Sequence, residues 1–386
     1  MKYLLISDEY RPTIGGIARV ACALADGLVE RNHDVTVLTN GSRKAINDFG
    51  DEKAKMEYYH RPRNAALGKV YLCSLWPMVN GRWIRRQRFD RILVIDASNA
   101  LPFPIMTKMG AIEYEVLLHG SELIRYSRNA TTDRLMRLAL GNAKRIFSTT
   151  RFVESQLKSK YGHDSIRTSC GVGDNFIQNH ADPEKQRELR SRYGFDANDF
   201  VIGTISRLDE RKGNDLVIDA VAALATKYPN LKYLIGGTGP QRAFLENRVK
   251  ELGVSDHVVF AGRVSESEHV CHYDLLNLYV MPNRLLKNNT VEGFGISFAE
   301  AATRGVASIG VDNGGVGEAI ADGVSGVLLN NADIGPLTNT IEEILNHRRI
   351  FDSDRIRQHG RQFTWQRFID RMVEPCQDQS IASREV

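Results

Sequence analysis

Apolar residues fall along the chain in two alternating patterns, short unbroken runs and longer stretches in which they return every three or four positions. An unbroken run reads as a strand covered on both faces, and the helical period reads as a helix with one buried face. Lys2 to Ser7 is the first such run. After a polar loop, Pro12-Thr13-Ile14-Gly15-Gly16 opens a helix carried by Ala18, Val20, Leu24 and Leu28, which stops near Arg31-Asn32-His33. Asp34 to Thr39 completes a βαβ unit, and further strands are predicted at Met56 to His60, Arg91 to Ile95, Tyr114 to Leu118 and Arg145 to Ser148. The alternation predicts a parallel sheet flanked by helices. From Asp174 to Asp199 the chain turns polar, with Asp182-Pro183 and then Arg190, Arg192 and Tyr193, which reads as a linker carrying a helix. A second series follows, with strands at Phe200 to Ile205, Leu231 to Ile235, Val258 to Ala261, Leu276 to Met281, Val306 to Val311 and Gly326 to Leu329. Phe363-Thr364-Trp365-Gln366-Arg367-Phe368 reads as a terminal amphipathic helix.

Length supports this division, since 386 residues exceed one ordinary core and suit two domains of about 150 to 200 residues. The expected fold is α/β, with two doubly wound domains at 1–175 and 200–364 joined by a linker at 176–199. Charge adds little globally: 51 Lys+Arg against 47 Asp+Glu leave +4, too small an excess to imply a nucleic-acid partner. Its distribution matters more. Between Arg61 and Arg91 eight cations (Arg61, Arg63, Lys69, Arg82, Arg85, Arg86, Arg88, Arg91) stand against Asp90, with Tyr71, Trp76 and Trp83 among them. Such a stretch is either a solvated helix face over core tryptophans or a surface for anionic lipid headgroups. Five cysteines without a CxxC pair suit a reducing compartment. Leu4-Leu5-Ile6 is too short for a signal segment and no later run reaches the roughly 18 apolar residues of a membrane span. The expectation is a cytoplasmic protein, with the cytoplasmic face of the inner membrane as its candidate docking surface.

Candidate chemistry concentrates on Glu292-Gly293-Phe294-Gly295-Ile296-Ser297-Phe298-Ala299-Glu300, two carboxylates around a glycine turn that opens a helix. The glycines permit close approaches, and a helix start with unpaired N–H groups suits an anion, a diphosphate above all. Arg207 and Lys212-Gly213, five residues apart after a predicted strand, offer a guanidinium fork and an ammonium to the same anion. His119-Gly120 ends a predicted strand, the edge at which open parallel sheets bind ligands. Gly15-Gly16 is not GxGxxG, and Thr39-Asn40 stands where a nicotinamide ribose needs an acid, so a dehydrogenase ranks low. Asp352-Ser353-Asp354 has the spacing of a metal motif but reads as a turn or helix cap, and Cys271-His272 as structural.

Taken as an ordered set, Gly15-Gly16, His119-Gly120, Arg207 with Lys212-Gly213, Gly237-Thr238-Gly239-Pro240 and Glu292 to Glu300 resemble the retaining nucleotide-sugar glycosyltransferases of family 4 over nearly the whole chain. The resemblance implies a GT-B architecture, two Rossmann-like domains facing across a cleft with the C-terminal helix, 365–386, crossing back to the first. It implies that Gly15 and Gly16 approach the donor diphosphate, that Arg207, Lys212, Gly293, Phe294, Gly295 and Ile296 bind it, that Glu292 contacts the transferred sugar, and that Glu300 holds the ribose hydroxyls. His119 would act beside the sugar, and Val264 near the base. No metal and no cofactor are implied beyond a UDP- or GDP-linked sugar. The implied activity is retaining hexosyl transfer to a glycan or lipid-linked acceptor in surface polysaccharide or glycolipid synthesis. A nucleotide-sugar epimerase and a transferase for a soluble acceptor are the alternatives. Ser169-Cys170-Gly171-Val172, where the family often has Asn-Gly, is a departure at the interdomain crossing.

Overall fold

The computed structural model describes residues 1–11, 13, 15–40, 54–59, 75–108, 112–178, 182–286 and 291–374. Its strands are β1 (Lys2–Ser7), β2 (Asp34–Asn40), β3 (Lys55–Tyr59), β4 (Arg91–Val94), β5 (Glu115–Leu118), β6 (Arg145–Ser148) and β7 (Ile166–Arg167), then β8 (Phe200–Ile205), β9 (Leu231–Gly236), β10 (Val258–Gly262), β11 (Leu278–Met281), β12 (Ala307–Val311) and β13 (Gly326–Leu329). They form two sheets, ordered β3-β2-β1-β4-β5-β6-β7 and β10-β9-β8-β11-β12-β13. Every strand pairing is parallel, from Lys2 beside Asp34 to Val311 beside Leu329.

The unbroken apolar runs explain the layering. Leu4, Leu5 and Ile6 are fully buried although neighbours along a strand face opposite ways, so helices must cover both faces. The helix Gly16–Glu30 supplies part of that cover through Ala18, Ala21, Leu24, Ala25 and Leu28. In each sheet the order reverses at the first strand, between β1 and β4 and between β8 and β11, and such reversals open a crevice at the carboxyl edge.

Twelve strands follow the apolar runs to within two residues at either end, although His60, expected in β3, lies outside the described residues. The two-residue β7 leaves no periodic signal and was not expected. In the polar stretch before β8, Asp182 caps the helix Pro183–Tyr193 by accepting from the Glu184 and Lys185 N–H groups, and Gly194 ends it in a left-handed conformation.

The chain crosses between the sheets at Ser169–Val172, and there it meets the returning C-terminal segment. The Val172 N–H donates to the Phe363 carbonyl at 3.1 Å, and a Cβ on Gly171 would stand 2.4 Å from the Trp365 nitrogen. The departure from Asn-Gly at this point therefore leaves a close backbone crossing intact. Beyond it the helix expected at 365–386 is observed as Trp365–Val373, ended by the extended backbone of Glu374, with 375–386 outside the described residues. It lies on Gly16–Glu30, where Phe368, Ile369 and Met372 are buried, Arg31 pairs with Asp370 at 2.6 Å, and Arg91 donates to the Met372 carbonyl. One hydrophobic cluster spans both halves, joining Leu24 and Phe147 to Phe294, Phe298 and Phe368.

Candidate active site

Both crevices open toward each other. Gly293, in the turn before the helix Ile296–Thr303, lies so near the His119 carbonyl that a Cβ would be 2.8 Å from its oxygen, and Thr150 Oγ1 donates to the Gly293 carbonyl at 3.4 Å. Gly295 adopts φ +83, a left-handed conformation that glycine takes without steric cost, and so starts the helix within one residue of the turn. A second glycine turn backs the first. A Cβ on Gly314 would be 2.1 Å from the Glu292 carbonyl oxygen and one on Gly315 would be 2.0 Å from that of Gly293, while the Gly315 N–H donates to the Glu292 carbonyl.

Glu292 is held by two cations rather than one. Lys212 Nζ stands 2.6 Å and Arg211 Nη1 2.5 Å from its Oε2. Burial pushes the Glu292 carboxyl up, but Lys212 and then Arg211 outweigh it and bring its pKa down to about 2. The two cations offered to the diphosphate differ in setting: Lys212 is only 9% exposed, whereas Arg207 is exposed. Gly213, at φ +72, lets this loop pass over Pro282, where a Cβ would be 2.3 Å from the carbonyl oxygen. Gly237 and Gly239 serve the same end. Their missing side chains make room for the Ser206 and Leu208 carbonyls, so that glycine-rich loop supports the Arg207 loop.

Glu300 is 3% exposed and has a partner at each carboxylate oxygen. Arg19 Nη1, from the other sheet's first helix, stands 2.5 Å from Oε1, Tyr273 donates to Oε2 at 2.7 Å, and His269 Nε2 is 3.8 Å from Oε2. His269 has its pKa lowered by burial, against the pull of Glu300, and its ring meets Phe176 and Tyr273. Ile296 is half-buried at the helix start and Phe294 is buried against Phe363. Val264 is half-buried near Gly236, at the end of β9.

Across the cleft, Gly16 is exposed and a Cβ on it would meet nothing within 4 Å, whereas one on Gly15 would be 2.7 Å from Glu9 Oε2. Burial, then Asp96, push the Glu9 carboxyl up, while His119 and Arg207 draw it down, so Glu9 faces both halves of the cleft. His119 Nε2 lies 2.7 Å from the Ile95 carbonyl oxygen, which can only accept. That contact assigns the proton of the neutral ring to Nε2 and leaves Nδ1 as the acceptor.

The structure thus brings His119, Gly15, Gly16, Arg207, Lys212, Glu292 to Ile296 and Glu300 to facing sheet edges. Sequence reasoning missed Arg19, Arg211, Glu9, His269 and Tyr273, and it reads Asp312 to Gly315 as a turn without placing it at the site. Arg211 stands beside Lys212 in the same loop and could have been found there; the others approach only through the fold. Asp352 caps the helix Ser353–Gly360, accepting from the Asp354 and Arg355 N–H groups. His272 contacts the Tyr193 hydroxyl and the Glu268 carbonyl within the fold.

The basic stretch changes more. Trp76 is buried in the core, and Arg91 forms a buried pair with Glu115, Nη2 to Oε2 2.5 Å, shared with Arg145. Neither can face a membrane. Trp83 is half-buried against Phe89, while Arg82, Arg85, Arg86 and Arg88 are exposed at the end of the helix Leu75–Gln87 and just beyond it. Arg61, Arg63, Lys69 and Tyr71 lie outside the described residues. Among the described residues no helix is long and apolar enough to cross a membrane.

The family model described as Glycosyltransferase Family 4 matches residues 14–170, and that described as Glycosyl transferases group 1 matches residues 185–363. The chain is similar to the GDP-mannose-dependent alpha-(1-6)-phosphatidylinositol monomannoside mannosyltransferase of Mycolicibacterium smegmatis, at 27% identity over 89% of this chain and 88% of that protein. It is also similar to one component of the human phosphatidylinositol N-acetylglucosaminyltransferase, at 23% identity over 88% of this chain and 68% of the relative. Among solved structures, Anabaena Alr3699/HepE in complex with UDP and glucose superposes with a TM-score of 0.77 at 19% identity, covering 96% of this chain and 98% of the other.

Proposed function

Since the chain belongs to glycosyltransferase family 4, we propose that it is a retaining, metal-independent hexosyltransferase that passes a mannose-, glucose- or N-acetylhexosamine-type sugar from a GDP- or UDP-linked donor to a lipid-linked glycan or glycolipid. One observation carries the reading. A half-buried and a buried glutamate, Glu292 and Glu300, bracket a glycine turn and a helix start, with Lys212 and Arg207 on the neighbouring loop and His119 with Gly16 on the facing edge. In it Arg207, Lys212 and the starts of the helices at Gly16 and Ile296 stabilise the leaving diphosphate, where negative charge grows during transfer. Gly293, Phe294 and Gly295 shape the turn that takes the sugar phosphate, Glu292 and His119 Nδ1 accept from sugar hydroxyls, Glu300 takes the ribose, and Val264 borders the base.

The residues supply fixed charge where a metal would otherwise stand. The leaving phosphate takes the acceptor proton on the face it departs from, which retains the anomeric configuration. The M. smegmatis and human relatives are both named for phosphatidylinositol-linked acceptors, which favours a lipid-linked acceptor and makes GDP-mannose the first donor to test. Exposed Arg82, Arg85, Arg86 and Arg88 on the Gly16-side half would hold the protein at an anionic membrane surface that carries the acceptor.

The test is a transfer assay with GDP-mannose, UDP-glucose and UDP-N-acetylglucosamine, each with and without EDTA, alongside thermal shifts with GDP and UDP. Binding at about 100 times Kd raises stability by roughly 2.7 kcal/mol. The expected result is one donor turned over in EDTA with an α-linked product. Loss of turnover that Mg²⁺ restores would overturn metal independence, and a donor epimerised without acceptor would support the epimerase instead.

A further inference from the structure

Glu300 is closed off from the cleft, with 4% of its side chain exposed. Oε1 faces Arg19 at 2.5 Å, and Oε2 already takes the Tyr273 hydroxyl, with His269 behind it. A ribose diol can reach this carboxylate only from the open side, and of its three partners Arg19 alone is exposed, so the diol must take the place that Arg19 holds. Arg19 belongs to the facing domain. It is the fourth residue of the helix Gly16–Glu30, and helical side chains lean back toward the N-terminus, over the first turn where the backbone amides are unpaired. Its side chain is 41% exposed and has room to turn, and Glu300 is the main cause of its raised pKa.

We propose that Arg19 is a donor-binding residue with two positions, pairing with Glu300 across the cleft until ribose hydroxyls displace it and then forking onto the donor diphosphate beside Gly16. This rests on the reading that Glu300 takes the ribose. A guanidinium leaving one carboxylate for a diphosphate exchanges one charge-assisted contact for a bidentate one with a more highly charged partner. A nucleoside without phosphates must displace Arg19 and offers it nothing in return. Arg19 thereby makes the site select for phosphorylated nucleosides, and it ties donor binding to the contact between the domains.

Calorimetric titration of the full chain with guanosine, GDP, uridine and UDP tests this, comparing Arg19 with Arg19→Ala. Loss of one charge-assisted phosphate contact is expected to weaken the diphosphate about tenfold or more, while removal of the competing ion pair tightens the matching nucleoside about threefold. Arg19→Gln gives Glu300 a neutral partner and guards against a folding defect; it is expected to shift the two ligands in the same opposite directions. If wild type binds a diphosphate and the variants leave both ligands unchanged, or weaken both alike, Arg19 is a fixed interdomain tie and the inference falls while the donor site stands. If wild type binds neither GDP nor UDP, the donor site itself is wrong and this inference falls with it.

Discussion

Lys212 and Arg207 carry the same charge on one loop, yet removing them is expected to do different damage. Lys212 is buried against Glu292, so Lys212→Ala leaves that carboxylate with Arg211 alone and is expected to cost about 2 kcal/mol of stability besides activity. Arg207 is exposed: Arg207→Ala is expected to stay within about 0.5 kcal/mol of wild type while turnover falls about 100-fold, as measured by denaturant unfolding and initial rates. The pH profile reports the same pair. Because the Glu292 pKa is depressed in the fold, its contribution is complete above pH 4.5 and is lost as pH falls toward about 2. Lys212→Ala brings that pKa back toward its ordinary value and is expected to flatten the acid limb of stability in this window. His119→Ala is expected to slow transfer while leaving nucleoside diphosphate affinity within about twofold, since the ring is assigned to the sugar. A large loss of diphosphate affinity would move His119 into the nucleotide pocket.

At the scale of elements, the glycines divide by what surrounds them. Gly315→Ala drives a methyl into the Gly293 carbonyl and the Thr150 side chain, and overpacking of this kind costs about 1–3 kcal/mol. It is expected to lower Tm and diphosphate affinity together. Gly16→Ala is the opposite case. Nothing stands near the added Cβ, and alanine favours a helix over glycine by about 1 kcal/mol in a helix interior, somewhat less at a first position, so Tm is expected to hold or rise. Transfer is nevertheless expected to fall, because the open space beside Gly16 is where the diphosphate would lie. Unchanged kcat/KM in this variant would remove Gly16 from the donor site.

For the whole molecule, the C-terminal helix and the basic helix make separate demands. Truncation before Trp365 exposes the sites of Phe368, Ile369 and Met372, each worth about 1.5–3 kcal/mol when buried. That sum approaches the whole stability of a typical domain, so the truncated chain is expected to be insoluble or to lose its cooperative unfolding transition. Arg82, Arg85, Arg86 and Arg88 project from the same half at about 1 kcal/mol each near an anionic leaflet. Co-sedimentation with anionic vesicles is expected to be strong at low salt and weak at high salt, and to be lost when all four become Ser. Pelleting that survives the fourfold change would reject this docking surface.

The order of elements and the ligand edges of the two sheets were legible in the chain itself, because apolar period and glycine position are local properties. Lys2 to Ser7, Phe200 to Ile205 and the turn from Glu292 to Gly295 needed no distant partner to be read. Charge partners were not legible. Arg19 meets Glu300 and Trp76 enters the core only because distant segments pack together, and Arg91 is drawn out of the basic surface by Glu115, its neighbour on the adjoining strand. A charge or ring carries no mark in the sequence of whether it will face water. That was decided by which segments the folded chain brought against it.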